Sequence, residues 1–454
     1  MRAVIVERLG LFVLANPFHI FLFIFNGKTN ILGPAQQCNQ RGWFGDKCQF
    51  QCHCAGNGEC SQSGTCSDGC DPQWFGPACQ YDVSEYNISG GLESDLSWLT
   101  DDDDTTCNTD DLESVTVALD TPHPLTWVRV VVSDTAFLDQ FELSYQLTGS
   151  TVSALCTDPR SARVDSATVD ISCPTKDVVT HVTLSGSIVR GMCSLYISGG
   201  RNVALKQTAG QPQTFKEWHA RYAVDGNPGI PDDIFSLRST CSHTPGGLGD
   251  SSYWRLVFSK GVDINRFIIY NRREPSRGDC CENRLVNFTL EAIPSFGQIK
   301  QYTYTDPGGP AQQVYTVVPS PRIGFPVKTI YIHLRKNTQN DIITLCEVYA
   351  FGEVLCPAGK FGRQCERDCN CADQTEACFV STGGCPSGCA AGYTGEDCYT
   401  PCAGGTYGPG CIETCSDNCA HSTSTNICDR FDGTCIGGCK PGYRGPLCID
   451  REIT

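Results

Sequence analysis

Basic runs are missing from this 454-residue chain. Its 34 Lys and Arg residues never cluster, its 50 Asp and Glu residues outnumber them, and the net charge is −16. Phosphate backbones and anionic membranes are held by basic patches, so nucleic acid and membrane surfaces are excluded as partners. Beyond the first 25 residues no stretch reaches the roughly 18 apolar residues of a membrane span. Long helical periods are absent. So are hydrolytic signatures: there is no His-Glu-x-x-His and no Gly-x-Ser-x-Gly, and the 8 histidines are scattered. A non-enzymatic protein is expected.

Cysteine is what the chain has in quantity, with 32 residues. Reduced cytosolic proteins do not accumulate thiols at this density, and an even count suits complete pairing. Arg2 and Arg8 flank the start of an apolar stretch from Leu9 to Phe25, interrupted by Asn16, Pro17 and His19. This reads as an imperfect signal peptide within residues 1–33, with a signal anchor as the alternative, and predicts a secreted protein. Asn87-Ile88-Ser89 and Asn287-Phe288-Thr289 are glycosylation sequons that suit that setting.

Twenty-four cysteines fall into three groups of eight, over residues 38–80, 356–398 and 402–448. Each group repeats a similar order and spacing. Gly42-Trp43-Phe44-Gly45, Gly359-Lys360-Phe361-Gly362 and Gly442-Tyr443-Arg444-Gly445 each place an aromatic in a turn that runs to a cysteine. A fixed period marks a repeated module, and segments this short need disulfides to supply order. The pattern resembles EGF-like modules of the laminin or multiple-EGF type. Zinc spacing in Cys52-His53-Cys54 and Cys369-Asn370-Cys371 is the lesser reading, because these residues sit inside the periodic arrays. Pairing within each group stays open, since eight cysteines allow 105 connectivities.

Between the modules the hydrophobic period is two. Phe141–Leu147 and Val286–Ala292 alternate apolar and polar residues, and Leu125–Ser133, Tyr253–Phe258, Ile264–Tyr270, Lys328–Leu334 and Ile343–Phe351 are further β-rich runs. The expected fold class is mostly β, with β-sandwiches or jelly rolls plus small disulfide-rich modules. Cys193-Ser194-Leu195-Tyr196 parallels Cys346-Glu347-Val348-Tyr349, and acidic segments precede both Cys107 and Cys241. Two copies of one fold are predicted, at 81–199 and 200–352. In each, the early cysteine would bridge to the last strand, Cys107 to Cys193 and Cys241 to Cys346.

The stretch richest in chemistry is Arg277-Gly278-Asp279-Cys280-Cys281-Glu282-Asn283-Arg284, with Cys241-Ser242-His243-Thr244 upstream. Arginine presents fixed donors, and two converging arginines can bind vicinal hydroxyls. A disulfide between neighbouring cysteines is a flat apolar knob, so a sugar with one methyl face and one hydroxyl face could use both. Arg277-Gly278-Asp279 also spells an integrin-binding tripeptide, but the paired cysteines remove the flexible tip that reading needs.

Residues 202–352 resemble the F-type lectins, the fucolectin family, which have a galactose-binding-like jelly-roll fold. The resemblance rests on the histidine followed by Arg-x-Asp-x4-Arg with adjacent cysteines. It implies that His243, Arg277 and Arg284 bind the ring oxygen and hydroxyls of L-fucose. Asp279 would orient the arginines, and a Cys280–Cys281 disulfide would pack on the ring. It also implies a Ca2+ ion held by Asp225, Asn227 and Glu347, with oxygens from Tyr222, Thr240 and Cys346, a donor set suited to a hard cation. Cys156 and Cys173 stand about where related lectin domains carry a second disulfide.

Two departures stand out. The interval from His243 to Arg277 is longer than usual, with the extra residues near Arg272–Ser276. Glu282 and Asn283 replace the family's usual glycine and glutamate. The function implied is a calcium-containing lectin for fucosylated glycans in innate recognition, gaining avidity from oligomers or clustered glycans. The alternative is a matrix or adhesion protein whose EGF-like modules bind a protein partner.

Overall fold

A computed structural model describes residues 12–16, 19–23, 38, 41–45, 48–56, 58–83, 86–88, 96–99, 101, 103–110, 112–138, 140–157, 159–173, 175–228, 240–272, 281–294, 301–334, 341–362, 365–380, 382–420 and 426–451. Arg277, Asp279 and Cys280 lie outside the described residues. So does most of the expected leader, of which only Phe12–Asn16 and His19–Phe23 are described, paired as antiparallel strands.

The chain is mostly β, as its period of two predicts. The first sandwich faces a five-stranded antiparallel sheet against a four-stranded one. The five strands run in the order Ser153–Leu155, Glu142–Leu147, Val179–Ser185, Ser114–His123, Tyr86–Ile88. The four run Arg160–Arg163, Thr168–Ser172, Trp127–Val132, Met192–Ser198. Alternation along Ser114–His123 turns Val115, Val117 and Leu119 inward, where they meet Val130, Ile171, Leu184 and Ile197 in one apolar core.

The second sandwich is one sheet folded over a single long strand. The sequence predicts two strands, at Tyr253–Phe258 and Ile264–Tyr270; they form one strand, Tyr253–Asn271. Its first part pairs with Val327–Leu334 and Thr208–Gly210, and its second with Thr344–Val354 and Val314–Val317. Register shifts between Val257 and Val262, and between Ile264 and Arg266, turn the strand from one layer into the other. Such irregularities bend a strand and re-aim side chains. Here they keep Leu256, Phe258, Val262, Ile264, Phe267 and Ile269 all in the core, with Trp254 and Phe288.

The same shift leaves Asn265 outside the pairing. Its amide donates to the Gly199 carbonyl at 2.6 Å, joining the two sandwiches. Arg322 strengthens that junction by donating its backbone N–H to Lys176 O at 2.8 Å and its Nη1 to Thr175 O at 3.1 Å, while Asp263 of its own sandwich pairs with the guanidinium.

The three cysteine modules share one connectivity. In each, the first cysteine joins the second, the third the fifth, the fourth the sixth, and the seventh the eighth. In the first module these pairs are Cys38–Cys48, Cys52–Cys60, Cys54–Cys66 and Cys70–Cys79. Residues 356–398 and 402–448 repeat them. The cysteines of the lesser zinc reading are thus disulfide sulfurs rather than thiolates. Trp74–Phe75 pairs with Tyr81–Asp82, and Tyr81 pairs in turn with Arg201. The first module therefore runs directly into the sheet of the second sandwich. Residues Tyr81 and Asp82, assigned from sequence to the first sandwich, are strand residues of that sheet.

Candidate functional site

His243 stands on a two-residue strand, Ser242–His243, paired against Leu345 and Thr344. Cys241, just before it, is joined to Cys346 on the facing strand. Both sides of the histidine are pinned: Ser242 Oγ donates to Leu345 O at 3.2 Å, and Thr244 Oγ1 accepts the Ile343 N–H at 2.9 Å. A small residue on either side, each satisfied by backbone, lets a buried histidine sit at a sheet edge without unpaired neighbours.

Arg284 comes from a short 3-10 turn, Glu282–Arg284, entered through Cys281 at φ 89°. Left-handed backbone is uncommon for a non-glycine residue and persists only where its surroundings enforce it. Cys281 is disulfide-bonded. Buried Asn271 ties the turn down, donating to Glu282 O at 2.8 Å and Gln312 O at 2.9 Å. Leu285 anchors it in the core, and its carbonyl accepts the Tyr315 hydroxyl at 2.5 Å.

These two frames bring together residues 41 positions apart: Arg284 Nη1 lies 3.1 Å from His243 Nε2. A guanidinium can only donate, so Nε2 accepts and the imidazole proton sits on Nδ1. That Nδ1 is buried, and among the described residues no hydrogen-bond partner meets it in good geometry. Burial, then the Arg284 and Arg272 guanidinium charges, push His243 down to about 4, the Thr244 backbone acting weakly the other way. His243 is therefore neutral at physiological pH. Arg284 is half-buried and pairs with no carboxylate among the described residues. The site offers fixed donors beside a neutral ring, which suits a polyhydroxylated neutral ligand.

An aromatic rim escaped the sequence reading. Phe215 lies 4.6 Å from the His243 ring, tilted, and Trp218 meets it edge-on at 5.3 Å. Arg272 stacks over Trp218 at 4.0 Å. The loop that carries both aromatics is stitched to the histidine by Gln211, whose amide reaches His243 O at 2.9 Å and Trp218 O at 3.1 Å. The available signal was two aromatics in an otherwise polar loop, Gln211–His219.

The candidate cation set comes from the strand that pairs with His243 and from a turn packed on that strand. Asp225 ends the 3-10 turn Ala220–Val224 and accepts the Asn227 N–H at 3.0 Å. Glu347, next to Cys346, is fully buried, and among the described residues neither of its carboxylate oxygens has a hydrogen-bond donor in good geometry. Burial and the facing Asp225 charge raise Glu347 well above the carboxylate range, with the amides of Gly226, Asn227 and Asp225 opposing. Burial also raises Asp225 to about 6.

A buried and a half-buried carboxylate that face each other, with no cation paired to them among the described residues, are costly, and a divalent ion would offset that cost. The donor set therefore fits a hard cation. Other members of the expected set are less concentrated. Asn227 is exposed, Tyr222 is half-buried with its ring 6.0 Å from His219, and half-buried Thr240 places its hydroxyl 3.8 Å from Cys241 Sγ.

In the first sandwich Cys107 is joined to Cys193 and Cys156 to Cys173. Asn87 is exposed and Asn287 half-buried at φ 53°. Among the described residues, no helix is long and apolar enough to cross a membrane.

No protein-family model matches the chain, and no curated protein matches it. Among solved structures, a Streptococcus pneumoniae fucose binding module is 24% identical, covering 33% of this chain and 96% of that one at a TM-score of 0.26. The lectin domain of lectinolysin, complexed with Lewis B antigen, is 23% identical over 34% of this chain and 98% of that one, with a TM-score of 0.27. A fucolectin from Morone saxatilis (striped bass) serum is 17% identical, covering 60% and 96% respectively at 0.28. At these scores the likeness adds no weight to the geometry of the site.

Proposed function

We propose that the chain is an extracellular glycan-binding protein whose second sandwich takes a terminal L-fucose. The observation that carries this is the buried, neutral His243 locked to Arg284 at 3.1 Å beside the disulfide-bonded Cys281 turn. It unites two parts of a motif read as fucose-binding from sequence. Arg277, Asp279 and Cys280 complete the motif in this reading. Fixed guanidinium donors take the hydroxyls, the disulfide takes the apolar edge of the sugar, and no bond is made or broken. Ca2+ at Asp225 and Glu347 supplies charge compensation and pins the 3-10 turn. Secretion, which the disulfides favour, places the site among cell-surface glycans.

The test uses the intact chain on a glycan array and in calorimetry with free L-fucose. Fucosylated glycans are expected to be retained and released by free fucose. Arg284→Ala should weaken binding about tenfold or more, since a hydrogen bond to a charged group contributes roughly 1.5–3 kcal/mol and each 1.4 kcal/mol is a decade. Wild-type affinity in Arg284→Ala, or no preference for fucose, would overturn the reading.

A further inference from the structure

The turn that carries Asp225 is not held by the second sandwich alone. Gly226, at φ +84°, lies so close to the first cysteine module that a Cβ there would stand 2.8 Å from Gln51 Oε1 and 3.5 Å from the Trp43 ring. Trp43 and Gln51 are paired residues of one small hairpin, and buried Gln80 donates to Gln51 O at 3.1 Å, fixing it from behind. Trp43 is itself buried.

The same hairpin grips Lys206. Its ammonium sits 3.3 Å from the centre of the Trp43 ring and donates to the Cys48 carbonyl at 2.8 Å. Lys206 belongs to the second sandwich: its backbone N–H donates to Val224 O at 2.7 Å, one residue before Asp225. Its charge acts on Asp225, yet no ion pair joins them. A lysine whose backbone is bonded one residue before Asp225, and whose charge acts on that carboxylate, is an internal competitor for any divalent ion there. The Trp43 face and the Cys48 carbonyl give that ammonium another partner, because an ammonium over an indole is attracted by the ring's negative face.

We propose that the 38–79 module is a positioning element for a divalent cation at Asp225 and Glu347, acting by holding the Lys206 ammonium on Trp43 and Cys48 and away from those carboxylates. This rests on the cation reading of Asp225 and Glu347. The module and the cation then bind the second sandwich cooperatively, so a fragment cut at residue 200 lacks part of its own metal site. Coupling between sites usually changes affinity by about 5–150-fold, and the effect is reciprocal.

The test is calcium titration by calorimetry on the intact chain at neutral pH. Trp43→Ala should weaken calcium binding roughly tenfold, at the low end of that range. Lys206→Met, which removes the competing charge, should bind at least as tightly as wild type. Adding Lys206→Met to Trp43→Ala should restore affinity, which a general loss of packing would not allow. Wild-type affinity in Trp43→Ala, weaker binding in Lys206→Met, or no recovery in the double variant would each overturn the proposal. Should Trp43→Ala fail to fold, the single Lys206→Met result still decides it. Glu347→Gln separates the two ideas: if calcium binding is indifferent to it, the cation reading has failed and the positioning role falls with it.

Discussion

The two sandwiches carry the same frame and different contents. Both join an early cysteine to the last strand, Cys107 to Cys193 and Cys241 to Cys346. The next residue on that strand is Ser194 in the first and Glu347 in the second, both buried. After the early cysteine the first has Asn108, whose amide is spent on the Val189 carbonyl at 2.8 Å; the second reaches His243, whose imidazole is turned to Arg284. In the first sandwich Asp134 caps a 3-10 turn at Thr135–Phe137, and the Phe137 ring crowds Gly191. In the first copy Asn108 and Asp134 are spent on the backbone, and in the second the Arg284 guanidinium faces a neutral histidine and Glu347 is buried beside Asp225. A shared frame therefore does not predict a shared ligand, and the difference lies in a few side chains.

The strongest way to break this comparison is to remove the donors. Arg284→Ala and His243→Ala should each weaken fucose binding by the intact chain about tenfold or more, whereas Asn108→Ala should cost stability but no binding. A loss of sugar binding on changing Asn108 would mean that the first copy shares the work. Next in size comes the cation. A ligand bound only by the native state stabilises it by about 2.7 kcal/mol when 100-fold above its dissociation constant. Chelation should lower the melting temperature of the wild type, and Glu347→Ser, which installs the first copy's residue, should remove that dependence. An unchanged melting temperature on chelating the wild type would exclude the ion.

Much of this contrast is legible without coordinates. The strand period of two located several of the sandwich strands, because a half-buried sheet must alternate, but Ser114–His123, Thr168–Ser172 and Val179–Ser185 were not among them. Pairing within the modules was not legible, because spacing alone cannot choose among eight similar cysteines. Phe215 and Trp218 were missed because nothing in a polar loop's sequence says which strand it will fold against; the Gln211 contacts decide that, and they bring the two aromatics to Arg272, which the long interval after His243 had marked. Trp43 reads in sequence as one more aromatic in a module turn. Its contact with Gly226 exists only because Tyr81 joins the module to the second sandwich through Arg201, a pairing that no local pattern encodes.

A subtler separation of the copies uses pH. Without a cation, Asp225 titrates at about 6 and Glu347 is raised as well. Folded values above the unfolded ones, near 4, mean that the folded state holds these protons more tightly. Their contribution favours folding below about pH 4 and is lost as pH rises through about 6. Chelated protein should therefore lose melting temperature between about pH 4 and 7, and excess calcium should suppress the loss by taking the protons' place. Ser194 has no such titration, so Glu347→Ser should flatten the profile. A chelated wild type whose stability is flat or rises over that interval would contradict the carboxylate pair.

The smallest expected effect is a null one: the first sandwich should add nothing to fucose binding. Its counterpart to the Cys281 turn contains no arginine and no paired cysteines, and Asp134 offers an acceptor already used by the Ala136 N–H at 2.9 Å. Asn108 is committed to Val189, Phe137 lies against Gly191, and Ser194 cannot hold the charge that Glu347 holds. Opening a sugar site there would break satisfied hydrogen bonds and expose apolar core, with no fixed donor to offset either. Calorimetry on the intact chain should thus give a stoichiometry near one fucose per chain, and Arg284→Ala should weaken that single phase about tenfold or more. A stoichiometry near two, or a second weaker phase that survives Arg284→Ala, would place a sugar site on the first copy after all.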